Sequence, residues 1–275
     1  MIEFLKEFFE LNLYARAFIA ALIIGYVNGF TSAFVLLHRS PLKLAAFSHS
    51  LLPGVAIAAL LFTLSVITAF MGALVAAIII GLLTILLARI SKIHDETVLA
   101  VLYTGAFAIG IMVLNHVGSN QELEKWMLGN IIALSDLDLK MSLIVGFIAV
   151  SFLTLYRRAL VTHLFDPEVA ASLGIKTRVL EYVSFVVLIL VLITTLQAVG
   201  CVLAVGLIVT PAAIARSFVK TPDGLFLVSG IVGSAGCALG LLASYLLDQP
   251  AGASITVVLT GAFLLSVFFR RKAIS

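Results

Sequence analysis

His49 carries the clearest chemistry in this chain, because it is an imidazole set inside a long apolar run. It stands in Lys43-Leu44-Ala45-Ala46-Phe47-Ser48-His49-Ser50-Leu51-Leu52-Pro53-Gly54, and residues 44–88 contain no Asp, Glu, Lys or Arg. Imidazole is a common ligand for borderline divalent metals. Ser48 and Ser50 are small polar neighbours, and Pro53-Gly54 is expected to break the helix and free backbone carbonyls. Together they suit a weak cation site on a path through a membrane. The competing reading is a packing histidine whose nitrogens are satisfied locally.

A second stretch, Gly200 to Arg216, contains Gly206 and Pro211 within an apolar run. Proline removes an intrahelical donor, so Pro211 is expected to kink or break the helix. Broken helices near the bilayer midplane often line translocation paths, which makes Ser48, Pro53, Gly206 and Pro211 the candidates for such a path. A packed proline kink is the alternative. Asn28, Tyr103, Thr104, Asn115, His116 and Gln197 read as pathway or helix-packing groups. His38, His94 and His163 lie beside basic loops and read as solvated or headgroup-facing.

A third stretch, Asp166-Pro167-Glu168-Val169-Ala170-Ala171-Ser172-Leu173-Gly174-Ile175, is polar and short. Asp166 suits an N-cap, Pro167 the first helical position, Glu168 the first turn and Gly174 the stop. Arg157, Arg158, Lys176 and Arg178 flank it, which places it on the cytoplasmic side. A capped helix between two spans is a docking element for a soluble partner.

Other chemistries are missing from the sequence. There is no G-x-x-x-x-G-K-[ST], so the chain does not bind ATP by that route. No serine nucleophile elbow, zinc-protease helix or close cysteine pair occurs, so the chain reads as non-catalytic. Cys201 and Cys237 fall in apolar spans and read as packing residues. Nor is there a ladder of intramembrane carboxylates of the kind ion-coupled pumps need, which points to an external energy source.

The elements that position these groups follow from composition. The 275 residues are 62% hydrophobic and only 11% charged, far from soluble globular usage. Residues 17–38, 44–88, 97–121, 141–156, 182–215, 224–247 and 249–269 carry no Asp, Glu, Lys or Arg. A membrane helix needs about 20 apolar residues, and these runs are too long for barrel strands. The chain therefore reads as an all-α polytopic membrane protein, one transmembrane domain over 1–275. Nine spans are expected, at 14–37, 45–62, 65–88, 97–115, 139–156, 179–198, 199–217, 225–247 and 252–269. Breaks fall near 62–65 and 197–200. The short pair within 182–215 also reads as one span plus a re-entrant piece, giving eight.

Charge sets the orientation. With the N-terminus outside, the inner segments hold Arg39, Lys43, Arg89, Lys92, Arg157, Arg158, Lys176, Arg178, Arg216, Lys220, Arg270, Arg271 and Lys272. Only Lys6, Arg16, Lys125 and Lys140 of the 17 basic residues lie outside. The bias predicts N-out, C-in. Residues 1–12 read as an interfacial helix, and 118–138 as an outer-surface helix with Trp126 at the interface. Gly25 and Gly29, with Gly230, Gly233, Gly236 and Gly240, have the spacing of a tight helix seam.

The ordered segments resemble a known family, the ABC-3 membrane subunits of bacterial transporters that import manganese, zinc or iron. The resemblance rests on Ser48-His49 with Pro53 to Ala58, Met127 to Ile132, Asp166 to Ile175, Gly206 to Ala215 and Asp248 to Ala253. It covers most of the chain. It implies a homodimeric pore of the type II importer kind in the bacterial cytoplasmic membrane. It also implies two cytoplasmic ATPase subunits, which bind the ATP and magnesium, and an extracytoplasmic metal-binding lipoprotein. Asp166, Pro167, Glu168, Ala170 and Gly174 then belong to the coupling helix, and His49 to the metal path. The divalent metal is substrate, and no cofactor or nucleic acid is bound. The family usually has an aspartate one turn before the histidine, where this chain has Ala45. Two rival readings are a type II importer for an organometallic substrate and a secondary transporter without an ATPase.

Overall fold

Charge-free runs of this length satisfy their backbone groups only as helices in lipid, and helices are what the chain forms. The computed structural model describes residues 12–62, 65–117 and 131–272. The expected interfacial helix at 1–12 and outer helix at 118–138, with Trp126 and most of the Met127 to Ile132 motif, fall wholly or largely outside the described residues.

In chain order the helices are α1 (Asn12–Leu37), α2 (Pro41–Ser50), α3 (Leu52–Leu61), α4 (Val66–Ser91), α5 (Asp95–Val117), α6 (Asp136–Leu155), α7 (Arg157–Phe165), α8 (Pro167–Ser172), α9 (Thr177–Ala215), α10 (Pro222–Leu247) and α11 (Ala251–Lys272). A 3-10 turn, Ile131–Ala133, precedes α6. No strand occurs among the described residues. Eight segments are long and apolar enough to cross a membrane, α2 and α3 counting as one, and Leu203–Ala215 is a shorter apolar helix.

Local chemistry sets the ends. Ser65 begins α4 with a capping box: its hydroxyl accepts from Thr68 N at 3.2 Å, and Thr68 Oγ1 accepts from Ser65 N at 2.8 Å. Ser135 and Asp138 do the same for α6. Asp95 and Glu96 open α5, where carboxylates offset the helix dipole. Lys92 and Asp248 take the left-handed conformation and stop α4 and α10.

The α9 segment is two helical limbs, not one rod. Gly200 sits at φ 77°, ψ 169°, outside the helical region. Thr195 Oγ1 bonds Asn28 Oδ1 at 2.9 Å, and Ala212 N donates to Ser32 Oγ at 3.0 Å. Asn28 and Ser32 are one turn apart on α1, whereas a continuous helix would carry Ala212 about 25 Å beyond Thr195. The chain therefore folds back at Gly200. The break expected near 197–200 is present, and the returning limb, Leu203–Ala215, is shorter than the eight spans. Pro211 sits inside that limb, and Gly200 is the non-helical position within α9.

The glycine seam is real and close. A Cβ on Gly25 would strike the backbone of Gly233, and one on Gly29 the backbone of Ser229, so α1 and α10 touch backbone to backbone. In a lipid setting such packing replaces the hydrophobic drive between helices. Cys237 is buried in the same region, as a packing residue should be.

Residues at the basic end tie the ends of several helices together. Arg157 Nε lies 2.8 Å from Asp223 Oδ1, an ion pair in which the N–H does not point at the oxygen. Lys43 pairs with Asp95 at 2.9 Å. Ser217 and Ser266 hydroxyls lie 3.4 Å apart. At the opposite end Arg16 pairs with Asp136, joining α1 to α6.

Candidate translocation site and docking helix

His49 lies on the last turn of α2, half-buried. Its ring faces α5, with Phe107 edge-on at 5.4 Å between centroids and Tyr103 at 6.2 Å. Nδ1 is buried and has no hydrogen-bond partner. A buried unpaired polar atom costs about 1–3 kcal/mol. An imidazole with an unused nitrogen among aromatic rings is equipped to offer a lone pair to a cation.

The neighbouring serines are committed elsewhere. Ser48 donates to the Ala45 carbonyl at 2.7 Å and Ser50 to the Phe47 carbonyl at 2.8 Å. Both are buried. At Ala45 the side chain supplies no oxygen, and its carbonyl is taken by Ser48. The interruption expected at Pro53-Gly54 falls slightly earlier and is shallow. Leu51, still near helical geometry at φ −77°, ψ −25°, separates α2 from α3. Leu51 N reaches the His49 carbonyl, the acceptor that Pro53 cannot serve.

Pro53 packs against α5 at Gly110, where an added Cβ would press on the Pro53 backbone. Pro53 and Gly54 also line an apolar groove with Ile57, Met71, Val75 and Ile109. Gly206 and Pro211 sit on the returning limb of α9. Gly206 faces Thr256 of α11, and a Cβ there would meet ordinary contact at 3.5 Å. Pro211 is buried beside Ala212, whose N–H goes to Ser32 Oγ. The structure thus brings His49 to Tyr103 and Phe107, and ties the Pro211 turn to α1. α2 meets α9 through Phe47 and Phe185, whose rings lie 5.2 Å apart edge-on.

The polar helix forms as its residues dictate. Asp166 Oδ1 accepts from Val169 N at 3.0 Å, and Pro167 takes the first turn. Ala170 is buried, whereas Glu168 and Val169 are exposed. Gly174 has φ +77°, a left-handed stop that favours glycine. Gly174 N and Ile175 N close the end on the Ala171 and Ala170 carbonyls at 3.0 and 3.1 Å. The result is an exposed capped helix at the basic end.

Residues 10–270 match the ABC 3 transport family. The chain belongs to this family. Among its relatives is the manganese import system permease protein ScaB of Streptococcus gordonii, 30% identical over 98% of this chain and 96% of ScaB. The chelated iron transport system membrane protein YfeD of Yersinia pestis is 27% identical, covering 98% and 89%. The solved structure of PsaBC from Streptococcus pneumoniae in complex with Fab superposes with a TM-score of 0.88 at 29% identity, over 97% of this chain and 95% of that one. The family match spans the whole helical order described above.

One contact went unread in the sequence. Phe107, one turn after Tyr103, faces His49, but that span carries apolar residues on every side and gives no sign of which side meets which neighbour. Asn28, read in the sequence as a pathway or helix-packing group, is buried and accepts from Thr195 Oγ1, so its polarity serves packing between α1 and α9.

Proposed function

We propose that this ABC-3 protein is the membrane-spanning subunit of an ATP-driven importer of divalent transition-metal ions. The match over nearly the full chain to manganese-import permeases carries the reading. The unpartnered His49 nitrogen and the exposed capped helix support it. The whole chain, 1–275, acts as one permease domain in a bacterial cytoplasmic membrane, N-terminus outside and C-terminus inside. Its partners are a second copy of itself, two cytoplasmic ATPase subunits and an extracytoplasmic metal-binding lipoprotein.

The mechanism is alternating access. ATP closes the motor dimer, and the motor displaces α8 through contacts around Asp166, Pro167, Glu168, Ala170 and Gly174. The path between the two permease copies then turns from outward to inward. His49 offers one imidazole to a partly dehydrated ion, and Pro53, Gly206, Pro211 and Ser48 border the path. A single imidazole binds weakly, which favours release. Ala45 favours a second reading, in which the ion arrives chelated and needs fewer protein ligands.

Metal-stimulated ATP hydrolysis tests the proposal. The chain is assembled with its ATPase in lipid and offered capture protein loaded with manganese, zinc or ferrous iron. Stimulation by one loaded form is expected, with Glu168→Lys hydrolysing ATP without moving metal. A stable assembly indifferent to every ion overturns it.

A further inference from the structure

At the basic end, α1, α2, α4, α5, α7 and α9 meet around a cavity of about 350 Å³. Protein interiors are close-packed, with few voids larger than a water molecule. An engineered apolar cavity of about 150 Å³ already binds benzene, so this one has room for a guest about twice that size. Its deep walls are Phe34, Leu44, Leu99, Leu160 and Leu188, each at most 4% exposed. Thr84 and Ser184 also line it, but their hydroxyls are spent on the Ile80 and Leu180 carbonyls at 2.7 Å. Little there would hold water, since a buried water needs polar partners.

Gly81 of α4 leaves part of this space open. A glycine inside a helix costs stability, and close approach of a neighbour is the usual reason for it. Gly72 on the same helix has that reason, because a Cβ there would strike the Gly54 backbone, whereas a Cβ on Gly81 would meet nothing within 4 Å. The cavity opens sideways between α4 and α9, where the lining residues Ile85 and Tyr182 are exposed. Both lie within two turns of the basic ends of their helices, at the depth of the membrane interface. A molecule dissolved in the bilayer can enter there.

The polar end holds His38, Lys43, Asp95, His163 and Glu181. Both histidines are half-buried and not free in solvent, as their neighbourhood of basic loops suggests. Lys43 is spent on Asp95 at 2.9 Å, with Glu96 at 3.7 Å. Burial pushes the His38 pKa down, against the opposing pull of Glu181, which favours the neutral ring. His38 Nδ1 lies 3.1 Å from Ser40 Oγ, and when it donates there, Nε2 is left as an acceptor. Glu181 is exposed and has no ion-pair partner among the described residues. The charged side chains lining the cavity therefore leave one carboxylate without a cation. We propose that this cavity binds a single-chain primary amine from the membrane, its chain among Phe34, Leu99, Leu160 and Leu188 and its ammonium on Glu181. A phosphate or carboxylate head would meet like charge there, which selects against phospholipids and fatty acids. Only Asp166 separates α7, which supplies Leu160 and His163, from α8, so the occupant lies beside the segment leading into the capped helix.

Photolabelling of the full-length chain in phosphatidylcholine nanodiscs tests the site without reference to transport. The probe is octylamine carrying a diazirine in its chain, with labelled residues located by mass spectrometry. Labelling is expected on the cavity walls, at Phe34, Leu99, Leu160 or Leu188. Unlabelled octylamine should compete at least about 10-fold better than octanol or octanoate, the effect of one charge-assisted hydrogen bond. Glu181→Gln should weaken the amine about as far and leave the weaker competition by octanol unchanged. Gly81→Leu, whose Cβ has open space, should fill part of the cavity and abolish wall labelling. Labelling confined to lipid-facing residues overturns the site. So does octanoate competing as well as the amine, or labelling indifferent to both variants.

Discussion

Removing the cap of α8 isolates the energetic contribution of one hydrogen bond to coupling. The helix has six residues, Pro167–Ser172, well below the length that holds together alone in water. Its order depends on the Asp166 cap, the buried Ala170 and the closing bonds at Gly174 and Ile175. Asp166→Ala deletes the 3.0 Å bond to Val169 N. Losing such a cap costs about 1 kcal/mol. At about 1.4 kcal/mol per decade, the ratio of formed to unformed helix falls about 5-fold. Because a helix this short is marginal, that ratio translates into docked population. The assay is ATP hydrolysed per metal ion transported in reconstituted vesicles. Asp166→Ala should raise that ratio several-fold, whereas Asp166→Asn keeps the cap and should stay near wild type. An alanine variant coupled as tightly as wild type would refute the reasoning. So would an asparagine variant as uncoupled as alanine, since charge rather than capping would then be at work.

Three further expectations use other parts of the structure. His49→Ala should lower metal uptake at least about 10-fold, the scale on which metal sites lose affinity, with unchanged membrane insertion; normal uptake would return His49 to a packing role. Gly200→Ala puts a side chain at φ 77°, ψ 169°, a region open essentially to glycine, and should destabilise the protein by about 1–3 kcal/mol in thermal unfolding in detergent. An unchanged melting temperature would mean that α9 runs on without folding back. Val169→Cys, on the exposed face of α8, should react with an impermeant thiol reagent only from the cytoplasmic side, and labelling from outside would invert the topology.

The spans were legible because charge is absent over whole runs and returns at their ends. Breaks were legible where local chemistry marks them, as at Ser65, whose hydroxyl caps α4, and Gly200, which relieves a run too long for one crossing. The capped helix α8 could be read residue by residue, since capping is local. What lies between helices could not. Pro211 signals a break, yet the discontinuity falls at Gly200, and Ala212 N reaches Ser32 of α1. Helices apolar on every side carry no stripe to show which face meets which neighbour. That is why the rings of Tyr103 and Phe107 beside His49, and the cavity shared by His38, His163 and Glu181, emerge only in three dimensions. Ala45 was legible as a missing carboxylate, and the structure adds that Ser48 occupies its carbonyl.

The most direct test of the central claim is radioactive manganese accumulation in vesicles holding this chain, its ATPase and loaded capture protein. Accumulation that requires ATP and collapses in His49→Ala is the predicted result. Accumulation driven by an ion gradient without the ATPase, or ATP-driven accumulation indifferent to His49, would contradict the account.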